Sequence, residues 1–200
     1  MRTFIAIDLS PDIKQQMRTL QRRLQSDLRP LGGDRLLKWT NPDKVHVTLR
    51  FLGDTSEVQT RRMAEDLRRI TSEMAPFGLQ LGGIGVFPNW PRLRVLWVGV
   101  EGELAALHRL QQAVEAAAQA AGFAAEDKSF SPHITLARVG KEARGEDVRR
   151  IGEFLRSRSA QETPLAEAWR VEEIVHMQSQ LRPEGAVYTP IQHFSLATES

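Results

Sequence analysis

The chain has 200 residues, 41% hydrophobic and 26% charged, with a formal net charge of +2. That length buries a real core in one domain or two joined lobes, and the composition is that of an ordinary soluble globular protein. Zero cysteines exclude disulfides, thiolate metal sites and a cysteine nucleophile. There is no transmembrane run, and the opening Met1–Asp8 is too short and too soon charged for a signal peptide, so a cytoplasmic protein is expected.

The positive charges are nearly all arginine, with pairs at Arg22-Arg23, Arg61-Arg62, Arg68-Arg69 and Arg149-Arg150. A guanidinium fork suits phosphate, but each pair reads better as the solvated face of a helix. The balance permits a nucleic-acid partner without demanding one.

Residues 3–9 alternate weakly and read as a strand. Ser10-Pro11 then supplies an N-cap and a first-turn proline for a helix with Ile13, Met17, Leu20, Leu24 and Leu28 on one face. Pro30 to Gly33 ends it. Leu36–Trp39 is a short strand, Asn41-Pro42-Asp43 a turn, and Val45–Leu52 a strand that stops at Gly53-Asp54. Ser56 with Gln59 forms a capping box for a helix carrying Met63, Leu67, Ile70 and Met74, which Pro76 closes.

Strands over 77–87 and 93–100 follow, and the apolar run Val95–Val100 belongs at the centre of a sheet. An alanine-rich helix spans 102–121, stopped by Gly122. A strand over 130–138, a polar stretch from Gly140 to Gly145, and a helix with Val148, Ile151 and Leu155 inward come next. Strands over 165–179 and 187–197 close the chain. Gly82-Gly83-Ile84-Gly85 reads as a strand bend, and no phosphate-binding P-loop is present.

One motif occurs twice: His46-Val47-Thr48-Leu49 and His133-Ile134-Thr135-Leu136, with the histidines 87 residues apart. Strand side chains alternate faces, so each copy offers an imidazole and a hydroxyl on one face and aliphatics on the other. The order strand, helix, His-x-Thr strand, helix, strand recurs around each copy. Phe4 to His46 is 42 residues and Val95 to His133 is 38. We therefore expect one bilobal domain over 1–200, with pseudo-repeat halves of about 1–92 and 93–200.

An imidazole titrates near neutrality, so a facing pair gives one proton and takes another, as hydrolysis of a phosphodiester requires. Threonines two residues on suit the phosphate oxygens. A single His-x-Thr-Leu is common by chance; two copies at matching places in a repeated pattern are not. Neither copy has a second His, Asp or Glu at i+2 or i+4, which argues against a metal site, and no cofactor is expected. Asp43 and Asp54 fit turns. His108 reads as structural, and His176 and His193 lack the threonine partner.

These paired motifs, together with Arg2–Ile7, Lys38-Trp39, His46–Asp54, Val95–Val100 and Ser131–Arg138, resemble the two-histidine (2H) phosphoesterases, and within them the RNA 2′,3′-cyclic phosphodiesterases historically called 2′-5′ RNA ligases. The resemblance implies an α+β, bilobal, duplicated fold: two antiparallel sheets flanked by helices, with the active site in the cleft between lobes. It implies metal-independent opening of an RNA 2′,3′-cyclic phosphate to a 2′-phosphomonoester, possible in reverse as 2′-5′ ligation. The implied partner is an RNA end, with no membrane, and the protein is expected to be a monomer. His46 would be the proton donor and His133 the acceptor, with Thr48 and Thr135 holding phosphate oxygens. The symmetry of the motifs leaves that assignment undecided by the residues themselves.

The resemblance also points to Arg138 as a phosphate ligand. Strand parity disagrees: Arg138 is five residues after its histidine, whereas Arg50 is four after His46 and has the right parity. Either the second strand bulges or ends near Ala137, or Arg50 is the partner. Trp39 is a candidate to stack a base, and Phe51 reads as core. The competing functions are a phosphodiesterase on 2′-5′ oligoadenylate or a cyclic nucleotide, and a non-catalytic module that grips an RNA end.

Overall fold

The computed structural model describes residues 1–159, 168–182 and 185–197. Strand β1 (Arg2–Asp8) leads into helix α1 (Pro11–Leu28), where the Ser10 hydroxyl accepts from the Ile13 N–H and the expected apolar stripe is buried. A 3-10 turn and the single helical turn α2 (Gly33–Leu36) precede β2 (Leu37–Trp39). Strand β3 (His46–Asp54) carries the first motif. Helix α3 (Glu57–Ser72) starts with both halves of the Ser56/Gln59 capping box formed.

Strands β4 (Phe77–Phe87) and β5 (Val95–Gly102), helix α4 (Leu104–Ala120), β6 (His133–Val139) with the second motif, and helix α5 (Gly145–Ser159) follow. Then come β7 (Ala168–Val171), β8 (Glu173–Arg182) and β9 (Gly185–Ser195). Two strands differ from expectation by more than two residues or in their continuity. The strand expected from residue 130 begins at His133, after Pro132, which has no N–H to give a ladder. The strand expected over 165–179 begins within residues that are not described. Over the described part it breaks at Glu172, where Glu172-Glu173 interrupts the alternation after Trp169 and Val171, and its two pieces enter different sheets.

All strand pairs are antiparallel. One sheet has the order β3-β1-β8-β9, the other β2-β6-β5-β4-β7. Each motif strand lies beside the first strand of its own half, β3 on β1 and β6 on β5. The next strand across comes from the other half, β8 beyond β1 and β4 beyond β5. The sheets thus exchange strands between halves, and the Val95–Val100 run sits mid-sheet as expected.

Ile5 and Ile7 of β1 join a single continuous core with the buried faces of the helices. Phe4 and Ala6, on the opposite face of β1, form a small second cluster with Val175, Met177 and Tyr188. That second face of the sheet is one wall of the cleft.

Candidate active site

Each motif strand carries an extra, unpaired residue at the same place. On β3, Ala6 faces Thr48 and Ile5 faces Arg50, leaving Leu49 without a partner; on β6, Trp97 faces Thr135 and Leu96 faces Ala137, leaving Leu136 without one. A bulge shifts side-chain parity by one residue. Both strands accordingly bury two residues in succession, Leu49-Arg50 and Leu136-Ala137, and expose the next, Phe51 and Arg138.

Buried polar side chains hold both bulges. The Gln21 amide of α1 donates to the Leu136 carbonyl at 3.0 Å and the Thr40 carbonyl at 2.8 Å. The Arg50 guanidinium donates to the Phe51 carbonyl at 3.0 Å.

The two imidazoles have matching surroundings. His46 Nδ1 donates to the Lys44 carbonyl at 3.1 Å, and His133 Nδ1 to the Ser131 carbonyl at 2.7 Å. A carbonyl only accepts, so each bond fixes Nδ1–H and leaves Nε2 for chemistry. Each ring also leans on two aromatics: His46 on Phe4 (4.7 Å between centroids) and Tyr188 (5.1 Å), His133 on Phe87 (4.9 Å) and Trp97 (6.1 Å).

Burial holds the His46 pKa below the usual histidine value, opposed in part by the Lys44 carbonyl and by the Asp8 carboxylate. Asp8 lies opposite His46 in register and is paired with Lys14 at 2.9 Å.

His46, Thr48, His133, Thr135 and Arg138 line one cavity of about 250 Å³ between the sheets, with Phe4, Thr40, Lys44, Val45, Phe51, Ser179 and Tyr188. The sequence profile of the LigT-like phosphoesterases matches this chain twice, over residues 7–97 and 98–188. The chain belongs to this family.

It is 31% identical to the RNA 2′,3′-cyclic phosphodiesterase of Methanothermobacter thermautotrophicus over 98% of this chain and 99% of that one. It is 32% identical to the protein of the same name from Thermus thermophilus, over 100% of this chain and 92% of that one. The crystal structure of TT0787 from Thermus thermophilus superposes with a TM-score of 0.78 at 30% identity, covering both chains fully.

Within this LigT-like phosphoesterase, two candidate residues lie elsewhere than expected. Arg50, which parity favoured, is turned away from the cleft by the Leu49 bulge and is only 7% exposed. Its Nε is 2.6 Å from Glu115 Oε2, close but poorly aligned for a hydrogen bond, and its Nη1 is 3.1 Å from Glu126 Oε2. It also donates to the Ala124 carbonyl. Trp39 faces Ala137 in register, on the buried side of its sheet, and packs against the core rather than the cavity. Phe51, read as core, is instead 41% exposed and lines the cavity.

The remaining histidines sit apart from the cavity. His108 meets the Phe130 ring edge-on, His193 pairs with Glu173 at 2.9 Å, and His176 is fully buried. No group of three or more His, Asp or Glu side chains placed to hold a metal exists among the described residues.

Several residues that line or brace the cavity carry no motif in the sequence. Lys44 stands two residues before His46, between the Asn41–Asp43 turn and the motif strand, with no signal of its own. Gln21 had a readable signal, a polar residue at i+4 from Met17 on an apolar stripe. Tyr188 had none, because only the exchange of β8 and β9 into the first sheet brings it to His46.

Proposed function

We propose that this protein is a metal-independent RNA 2′,3′-cyclic phosphodiesterase of the cytoplasm, acting as a monomer on RNA ends. His133 Nε2 takes a proton from water as its oxygen attacks phosphorus. The bond from phosphorus to the 3′ oxygen breaks, and His46 Nε2 gives its proton to that oxygen. The product is a 2′-phosphomonoester with a free 3′ hydroxyl. Thr48 and Thr135 donate to the non-bridging oxygens, and Arg138 balances the charge that grows on them. With the 5′ hydroxyl of a second chain attacking in place of water, the same proton transfers form a 2′-5′ linkage and free the 3′ hydroxyl.

The observation that carries this reading is the matched pair of imidazoles on one cavity, each with Nδ1–H tied to a carbonyl and Nε2 left over. A module that only gripped a phosphate would need cations and hydroxyls, not two pre-set proton carriers. Burial lowers the His46 pKa in the free protein and so disfavours the donor's charged form; a bound phosphate raises that pKa and supplies the imidazolium the assignment needs. The names of the similar proteins from Methanothermobacter and Thermus support the substrate.

The test is incubation of the protein, in EDTA, with an oligoribonucleotide ending in a 2′,3′-cyclic phosphate. A 2′-phosphate product is expected. A 3′-phosphate product overturns the leaving-group assignment, and loss of activity in EDTA overturns the metal-free mechanism. Faster turnover of 2′-5′ oligoadenylate or a cyclic mononucleotide would favour the competing substrates.

A further inference from the structure

Strand β2 is an edge strand, and its central residue is Lys38. A lysine on an edge strand commonly guards against stray strand pairing. The register of Lys38 sets it apart, because it stands directly opposite Arg138 of β6. Residues directly opposite share a face, with Cβ atoms about 4.5–5.5 Å apart, and like charges so placed repel. Thr40, two residues along on the same face, lines the cavity, as does Arg138. Lys38 therefore shares the sheet face of Arg138, just outside the residues that line the cavity, with its side chain reaching along β6 towards Gly140.

Both side chains are exposed, and neither has a carboxylate partner among the described residues. Two neighbouring cations that repel one another and face open space are arranged for an anion. The wall across the cleft differs: at the position matching Arg138 it carries Phe51, with Phe4 and Tyr188 beside it. The walls thus differ at Phe51 against Arg138, while Lys44, just before His46, also lines the cavity and Arg2 lies over the Phe51 ring.

We propose that Lys38, with Arg138 between it and the reacting phosphate, forms a second phosphate subsite for the 5′ phosphate of the terminal nucleotide. The preferred substrate is then an RNA chain end rather than a cyclic mononucleotide, which lacks that phosphate. This inference rests on the cyclic phosphodiesterase reading for the identity of its ligand.

Two dinucleotides test it, both ending in a 2′,3′-cyclic phosphate. In one the internucleotide linkage is the natural phosphodiester; in the other it is an uncharged methylphosphonate. Binding is measured by calorimetry to the His46→Ala/His133→Ala protein, which leaves both ligands intact, with Lys38 present and with Lys38→Ala. With Lys38 the phosphodiester is expected to bind about fivefold tighter at low salt. The advantage should shrink as salt rises, with a logarithmic slope of about 0.7 for one neutralised phosphate. Lys38→Ala should bring the two ligands to within about twofold, and Lys38→Arg should restore the difference.

An equal preference with and without Lys38, or no preference at all, overturns the subsite. Turnover by the protein with both histidines is read separately. Hydrolysis without a Lys38-dependent preference removes the subsite and keeps the reaction. A Lys38-dependent preference without hydrolysis keeps the subsite and removes the reaction.

Discussion

Phe51 and Arg138 occupy the same place in the two motif strands. Each lies five residues after its histidine, and each reaches the cavity only because the intervening leucine is bulged out of register. The two walls of the cleft share a backbone feature and differ in chemistry at this pair of positions. Arg138→Ala should lower kcat/KM about a hundredfold, with little rescue by Arg138→Lys, whose point charge lacks the fork. Phe51→Ala should raise KM about tenfold and move kcat less, as loss of a stacking face would. Steady-state kinetics on a cyclic-phosphate RNA end check both, and a Phe51 effect confined to kcat would contradict the stacking role.

Arg50 should behave in the opposite way. Arg50→Ala removes the partner of Glu115, whose side chain is 17% exposed, and frees the bulge that aims Phe51. Breaking a buried pair costs about 3 kcal/mol, which for a chain of this size is roughly 6–12 °C in Tm. Arg138→Ala, at an exposed position, should shift Tm by no more than about 2 °C. Thermal unfolding of the two variants side by side separates an arginine that builds the site from one that faces it.

His46 should titrate below the ordinary histidine value in the free protein, because burial disfavours its charged form. Asp8→Asn removes a charge that raises the pKa, so the midpoint should fall further. Inorganic phosphate in the cavity should raise it. The imidazole proton shifts of His46 followed by NMR across the acid range report all three. A midpoint above 6.5 in the free protein would contradict the burial argument.

His176 should contribute to the acid sensitivity of the fold. It is fully buried, neither ring nitrogen has a hydrogen-bond partner among the described residues, and burial pushes its pKa down to about 4. The unfolded chain takes up this proton near pH 6.5 while the folded chain resists until about pH 4. Stability is therefore highest above the unfolded value and falls by about 3 kcal/mol as the pH drops through that window. His176→Phe should flatten this slope. It should also stabilise the protein at neutral pH by about 1–3 kcal/mol, since two unpaired buried nitrogens are removed. Denaturant unfolding at about pH 7 and about pH 4.5 checks both effects, and an unchanged slope would clear His176 of the role.

Local patterns were readable wherever local physics decides. The Ser10 and Ser56 caps, the Met17–Leu28 stripe and the alternation that puts His46 with Thr48 and His133 with Thr135 all stand as the residues imply. What failed was parity beyond the threonines. A bulge depends on what holds it, and here the holders are Gln21, on α1 far from β6 in sequence, and the Arg50 side chain itself. Trp39 and Phe51 were misjudged for the same reason, because aromatic character alone does not say which face of a strand looks into the cleft. The partition of residues 168–182 between two sheets followed from two adjacent glutamates, a cue that is visible but weak.

The exchange of strands between halves also bears on how the protein is born. Strand β1 lies between β3 and β8, so the sheet that presents His46 is a two-stranded ribbon until residues 173–195 leave the ribosome. A ribbon of two strands is marginal in water, and its open edge invites foreign chains. The hydrophobic β1 edge at Phe4–Ile7 is thus a hazard until β8 and β9 are made. Nascent chains stopped before Glu173 should be captured by chaperones and cleaved readily near His46, while full-length chains are not.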